Sequence, residues 1–317
     1  MKLQCTVVDV GARYGLHPTW QDLRDVVNLH LFEIDTAEVK RLKRKYAACR
    51  NIKIYPNALY SSNCTLRYIV KKHRGLNSLL EDDRKLRNDK NFMIEETKVE
   101  ALKQVSTTTI DSRFRKKAVH FLKIDTEGSE LEVLKGATRK LNSTVLGVRA
   151  EAYFIGTYKH MPLFGDIDSY LRKYNFELLN FDYDGRGHAF SKFTLPDKFG
   201  QLIGAEAVWI KNLEVIFKRK KERLLQDVLL MAIFLMNNNA SDIAINLMLR
   251  AVKEKKVNFK SIKKDPLFKR LKRQIAFLFK DLLSLPMTDK KEIYITYEKL
   301  FNEQFPKMNK FYETFSL

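Results

Sequence analysis

The sequence predicts an α/β fold, a mainly parallel sheet followed by an all-helical C-terminal extension. Three observations carry this reading. Short β-branched apolar runs alternate with amphipathic helical stretches from residue 4 onward, the rhythm of a parallel sheet with right-handed crossovers. The first run, residues 4–10, ends abruptly at Gly11, as a buried strand feeding a tight turn does. From about residue 213 only helical periodicity remains.

Taken in order, residues 4–10 form the first strand and residues 18–28 a helical stretch. A second apolar run at 29–34 is the next strand. Residues 36–47 predict a helix with Val39, Leu42 and Tyr46 on one face and Asp35 or Thr36 as N-cap. Residues 52–57 are the third strand. The region 58–111 breaks the rhythm: 65–70 and 98–109 read as strands, and the charged stretch 77–91 reads as a surface loop. The rhythm resumes with a strand at 119–124, a helix over 129–141 and a strand at 145–151. A helix at 166–173 and strands at 176–181 and 205–210 follow. Helices are expected at 218–236, 241–255, 269–283 and 289–301, the first two joined by Asn237-Asn-Asn-Ala-Ser. The expected division is residues 1–212 against a helical domain of 213–317.

The chain of 317 residues is 45% hydrophobic, enough for a sizeable core, which excludes a disordered or collagen-like class. Cys5, Cys49 and Cys64 match neither a zinc pattern nor a disulfide framework, so reduced thiols in the cytoplasm are expected. No run reaches the length of a membrane span. The net charge is +20, and residues 212–317 hold 22 Lys and Arg against 12 Asp and Glu. This excess favours an anionic surface or a protein partner for the basic helices, or simply a solvated face.

Chemistry concentrates at strand ends. In Asp9-Val-Gly-Ala-Arg-Tyr-Gly15 the glycines permit a sharp turn and close approach of a ligand, without the spacing of a pyrophosphate cradle. Glu33 ends the next strand, where an acid accepts hydrogen bonds from ribose hydroxyls. Asp125 and Glu127 end the strand at 119–124, so all these groups face one crevice. A nucleoside-containing ligand fits that crevice, with S-adenosylmethionine the foremost candidate.

Asp9-Val-Gly-Ala-x-x-Gly15, Thr107-Thr-Thr-Ile-Asp111 and Lys123-Ile-Asp-Thr-Glu-Gly-Ser-Glu-Leu-Glu-Val-Leu-Lys-Gly136 together resemble the FkbM family of S-adenosylmethionine-dependent methyltransferases. The resemblance covers about residues 4–211 and extends through 151–158 and 162–168. It implies a class I methyltransferase Rossmann-like sheet of seven strands, the last antiparallel, and O-methylation as the usual reaction. Two positions depart from the pattern: Arg13 stands where many members have Asn, and Ile34 where many have Pro. The cofactor set expected on this basis is Asp9, Gly11, Ala12, Arg13, Gly15, Glu33, Ile34, Ala58 and Asp125.

Methyl transfer to a hydroxyl needs alignment and a proton acceptor. Asp125, Glu127, Glu151 and His160 are the catalytic candidates. Asn77 and Ser78 are candidates for contact with the acceptor, and Tyr158, with Phe154, for stacking on a sugar face. No metal site is assigned; a divalent cation, were one used, would take Asp125, Glu127 and Glu151. The acceptor expected is a glycan, a sugar nucleotide or a related small molecule. Two alternatives stand beside this reading. Nucleic acid, suggested by charge, is disfavoured because Asp125-Thr-Glu-Gly replaces the Pro-Pro-aromatic loop of base amino-methyltransferases. The other is a non-catalytic scaffold that binds S-adenosylmethionine and recruits a partner through its basic tail.

Overall fold

The computed structural model describes residues 3–182, 187–189, 201–254 and 257–284. These fall into two compact units. One spans Cys5–Val215, and the other runs from Ile216 onward together with Leu3 and Gln4.

In the larger unit the strands are β1 (Thr6–Val10), β2 (Asn28–Phe32), β3 (Ile52–Tyr55), β4 (Ala58–Leu59), β5 (Thr65–Lys71) and β6 (Val99–Thr108). They continue as β7 (Phe121–Ile124), β8 (Gly147–Tyr153), β9 (Phe176–Phe181), β10 (Gly187–Ala189) and β11 (Gln201–Lys211). The main sheet has the order β3-β2-β1-β7-β8-β11-β9, with β10 pairing the first part of β11. The pairs from β3 through β8 are parallel, and β11 runs antiparallel to both β8 and β9. That is the seven-stranded arrangement with its last strand reversed, plus one short strand. A second, three-stranded sheet has the order β4-β6-β5.

The helices of this unit are α1 (Thr36–Lys45), α2 (Arg84–Asp89), α3 (Ile110–Arg113), α4 (Glu130–Lys135), α5 (Thr138–Ser143) and α6 (Phe164–Arg172). Alternation along the strands explains the layers. Val8, Val10, Leu122, Ile124, Val148, Ala150 and Trp209 form one core with Val133, Leu134, Leu141, Ile167 and Leu171 from α4, α5 and α6. Each such fully buried aliphatic side chain contributes about 1.5–3 kcal/mol. Asp35 caps α1 as expected, its Oδ1 accepting from the Ala37 N–H at 2.9 Å.

The other strand face carries charge. Asp9, Lys123 and Arg149 sit side by side in register on β1, β7 and β8. The Lys123 ammonium lies 3.7 Å from Asp9, and Arg149 Nε donates to Glu206 of β11 at 2.6 Å. Burial alone would raise the Glu206 carboxyl, but His17 and Arg149 outweigh it and bring it down to about 2.

Three expectations need correction. Residues 18–28 form only a short 3-10 helix at Pro18–Leu23, which buries Trp20 against Phe121 at 5.6 Å. The helix expected over 129–141 is two helices that meet at Gly136, where the Tyr60 carbonyl packs so closely that a Cβ would lie 2.0 Å from its oxygen. Asp111 starts the second of them, accepting from the Arg139 N–H at 2.8 Å and the Lys140 N–H at 3.1 Å. The stretch 77–91 is no surface loop: it contains α2 and the buried residues Ser78, Asp82 and Arg87.

The second unit holds α8 (Lys221–Met236), α9 (Ser241–Lys253) and α10 (Pro266–Ser284); α7 (Leu213–Phe217) leads into it. Val228–Leu235 are all buried, and α9 contributes Ala244, Leu247, Met248 and Ala251. Asp265 caps α10 through Leu267 N–H and also accepts from Leu3 N–H, each at 2.9 Å. No helix among the described residues is long and apolar enough to cross a membrane. The helix expected at 289–301 lies outside the described residues.

Gly11 has φ +76°, and a Cβ there would meet the Asp125 carbonyl oxygen at 1.8 Å. Gly11→Ala is expected to lower stability by about 3 kcal/mol or more through strain and overlap. Urea unfolding checks this; an unchanged midpoint would contradict it.

Candidate active site

The site is assembled where the turns after β1, β2 and β7 meet. Gly11 and Ala12 both donate their N–H groups to the Phe32 carbonyl at 3.0 Å, tying the β1 turn to the end of β2. On the opposite side, the Gly11 backbone lies against Asp125 at the end of β7. Gly15, at φ +98°, closes the turn by donating to Ala12 at 2.9 Å.

These turns border a cleft of about 720 Å³, open to solvent at its mouth. Its apolar walls are Phe32, Ile34, Ala58, Leu59 and Leu79. Glu33 lines it with a buried carboxyl; Oε1 accepts from Asp35 N–H at 2.7 Å. Burial raises this carboxyl above its ordinary range, partly offset by that N–H. Arg13 reaches Asp35 at 3.1 Å, so its side chain braces the rim. The 3-10 turn and loop that follow β5 add Arg74, Gly75, Asn77 and Ser78 to the lining.

Three carboxyls lie close together. One oxygen each from Asp125, Glu127 and Glu151 falls within 4.8 Å of the others. Asp125 is the most open, with its side chain 38% exposed and Oδ2 accepting from Lys123 Nζ at 3.0 Å. Glu127 is buried in a left-handed backbone conformation (φ +56°), which Gly128 continues at +102°. Its Oε2 accepts from two phenols, Tyr158 at 2.5 Å and Tyr153 at 3.1 Å. Burial foremost, and then the charge of Asp125, push Glu127 up to about 7. Burial and the carboxylates of Glu127 and Asp125 hold Glu151 well above the usual range, and its Oε2 has no hydrogen-bond partner. The arrangement therefore pushes Glu127 and Glu151 toward their protonated forms, as in sites that handle a proton. Nothing here assigns these oxygens to a metal.

Of the expected residues, Gly11, Arg13, Glu33, Ile34, Ala58, Asn77, Ser78, Asp125 and Glu127 line the cleft. Asp9, Ala12, Gly15, Glu151, Tyr158 and His160 are not among its lining residues. Asp9 is buried beneath the turn, its carboxyl raised by burial and opposed by Lys123. Tyr158 is buried rather than a stacking face, because its hydroxyl is committed to Glu127. His160 is exposed at φ +56° and does not line the cleft. Asn77 and Ser78 spend polar atoms internally: Asn77 Oδ1 accepts from Lys71 N–H at 2.9 Å, and Ser78 Oγ donates to the Glu127 carbonyl at 2.6 Å. Glu127 does not cap α4; the Glu130 carboxylate accepts from Thr126 N–H at 2.7 Å and from Gly128 N–H at 3.1 Å. Sequence reasoning missed Tyr153, although its place two residues past Glu151 puts both on one strand face.

Because folding raises the Glu127 carboxyl from 4.5 to about 7, this group is more protonated in the folded state. Its contribution to stability therefore falls as pH rises through that window. Glu127→Gln is expected to gain stability relative to the wild type between pH 4.5 and 7 and to hold that gain above it. Thermal melts across pH test this; a pH-independent difference would contradict it.

Solved structures with similar architecture include a methyltransferase FkbM from Methylobacillus flagellatus KT, 17% identical with a TM-score of 0.40, covering 65% of this chain. This chain spans 43% of that protein's length. An rRNA methylase from Streptococcus thermophilus is 7% identical over 67% of this chain and 89% of its own, with a TM-score of 0.33. A precorrin-6y C5,15-methyltransferase from Geobacter metallireducens GS-15 is 8% identical over 67% and 83%, with a TM-score of 0.35. No curated protein matches the sequence. The family model described as the methyltransferase FkbM domain matches residues 9–178, more than half of the sequence and all three strand-end turns, and the chain belongs to that family.

Proposed function

We propose that this chain is an S-adenosylmethionine-dependent O-methyltransferase acting on a hydroxyl of a glycan, a sugar nucleotide or a related small molecule. The observation that supports it best is the meeting, in one cleft, of a nucleoside-shaped half and a proton-handling half. Apolar walls with the buried Glu33 suit an adenosine, and Asp125 and Glu127 of the carboxyl cluster line the same cleft. The residues fit the cofactor chemically: Gly11 presents bare backbone to the cleft, and the Glu33 carboxyl keeps acceptor capacity for ribose hydroxyls. S-adenosylmethionine, when bound, would supply a methyl group made electrophilic by its sulfonium.

The chain's own residues do the rest. Phe32, Ile34 and Ala58 hold the base, and Glu33 the ribose. Asp125, facing the cleft with a partly exposed carboxylate, favours a positive centre near it. Glu127 takes the proton of the acceptor hydroxyl, while burial and the neighbouring carboxylates disfavour a second negative charge on Glu151. Positioning in such a cleft is worth about 7–11 kcal/mol of barrier, and a placed base about 10²–10⁴ in rate. No metal enters this reading. We assign the activity to residues 1–212 and regard 213–317 as a basic helical extension toward an anionic surface or protein partner. A cytoplasmic setting suits its free thiols.

Two measurements test the reading. Glu33→Ala is expected to weaken S-adenosylmethionine binding by about 1–3 kcal/mol in calorimetry; equal affinity would refute that placement. Methyl-labelled S-adenosylmethionine should label cell-envelope extracts, and Asp125→Ala and Glu127→Gln should lower the rate about 10²-fold or more. Label entering RNA instead would favour the nucleic-acid reading. Cofactor binding without any labelling would favour the scaffold.

A further inference from the structure

Behind the tyrosine that holds Glu127 lies an ion cluster outside the cleft. Lys71, at the end of β5, is fully buried and donates from Nζ to Asp82 Oδ1 at 3.0 Å. Arg87 of α2 is 1% exposed, and its Nε lies 2.8 Å from the same oxygen. Lys71 and Arg87 thus share one buried anion, whose other oxygen lies 3.9 Å from the half-exposed Arg84; burial pulls Lys71 down and Asp82 opposes that shift. Apolar residues of similar volume would pack there at no loss of stability, so stability alone does not account for the cluster.

Its geometry points at Tyr158. Lys71 Nζ lies 4.3 Å, and Arg87 Cζ 5.0 Å, from the centroid of that ring. The backbone joins the same segments: Asp82 and Tyr158 form an antiparallel bridge, Asp83 N–H donates to Thr157 at 3.0 Å, and Lys159 N–H donates to Glu81 at 2.8 Å. The far end of the ring donates its hydroxyl to Glu127 Oε2. Cations on a ring face draw on its electron density, which strengthens the O–H donor, and their charge favours a carboxylate beyond it.

Glu127 is faced by Asp125 and Glu130 from its own turn and helix, by Glu151 and Tyr153 from β8, by Tyr158 from the next loop and by Lys71 from β5. The other carboxyls press it toward the neutral form. The phenols and the buried cations oppose them. We propose that Lys71 and Arg87, acting through Tyr158, are positioning residues that hold Glu127 in its anionic, proton-accepting form. This inference rests on the reading of Glu127 as the proton acceptor.

The test needs no acceptor. In full-length protein labelled with ¹³C at the glutamate carboxyls, Glu127 is assigned by its loss in Glu127→Gln and titrated by NMR in EDTA-containing buffer. Lys71→Met and Tyr158→Phe are each expected to move its midpoint upward by about one pH unit, and Arg87→Met to move it the same way. Tyr158→Phe keeps the ring and removes only the hydroxyl, so it remains informative if a cluster variant does not fold. Midpoints unmoved in folded Tyr158→Phe and in a folded cluster variant would overturn the proposal. Calorimetry with S-adenosylmethionine on Lys71→Met and Arg87→Met should match the wild type; lost binding would make the cluster a mere support of the cleft and overturn the proposal as well. A wild type that binds no S-adenosylmethionine would sink the methyltransferase reading while leaving the Glu127 titration standing.

Discussion

Gly11 is the point where the backbone of one strand turn rests on the backbone of another. With no Cβ, it lets the turn after β1 approach the Asp125 carbonyl, while Gly11 and Ala12 hold the end of β2 through Phe32. Three strand ends are thereby drawn to one spot, and two of them deliver acids to the cleft: Glu33 after β2, and Asp125 and Glu127 after β7. A side chain at this position would wedge the turns apart and separate the two halves of the cleft.

Bringing acids together carries an electrostatic cost, and the surroundings show how it is met. Glu151 is pushed toward its protonated form, Glu127 accepts hydrogen bonds from two phenols and Asp125 leans on Lys123. The strained backbone at Glu127 belongs to the same arrangement, since the left-handed turn through Gly128 aims the carboxyl at the tyrosines rather than at the start of α4. Glu130 then serves the turn's free N–H groups in its place. The small sheet and α2 are not peripheral to this chemistry, because they form one wall of the cleft and the charged backing of Tyr158.

Much of the sheet was legible because its strands obey simple rules: continuous β-branched runs, turns at glycine and acids at strand ends. Gly11, Glu33, Asp125 and Glu127 could be read directly from spacing. The stretch around α2 could not. Asp82 and Arg87 are residue types that usually face water, and only their mutual pairing with Lys71, which comes from another strand, lets them be buried. Tyr158 was misread for a related reason: an aromatic ring in a loop suggests an open face, whereas its hydroxyl had a buried acceptor that sequence spacing does not reveal. Gly136 was visible as a glycine, but the Tyr60 carbonyl packed against it is a contact across distant parts of the chain.

The row of charges across the main sheet has a consequence for how the strands find their neighbours. Asp9, Lys123 and Arg149 interlock only when β1, β7 and β8 are aligned as observed, with Glu206 arriving from the reversed strand. A slip of one residue would turn these ions into the oily layer beneath α4, α5 and α6 and lift valines and leucines in their place. The row thus acts as a key cut for a single alignment, penalising mispaired sheets before the cleft at their tips can form.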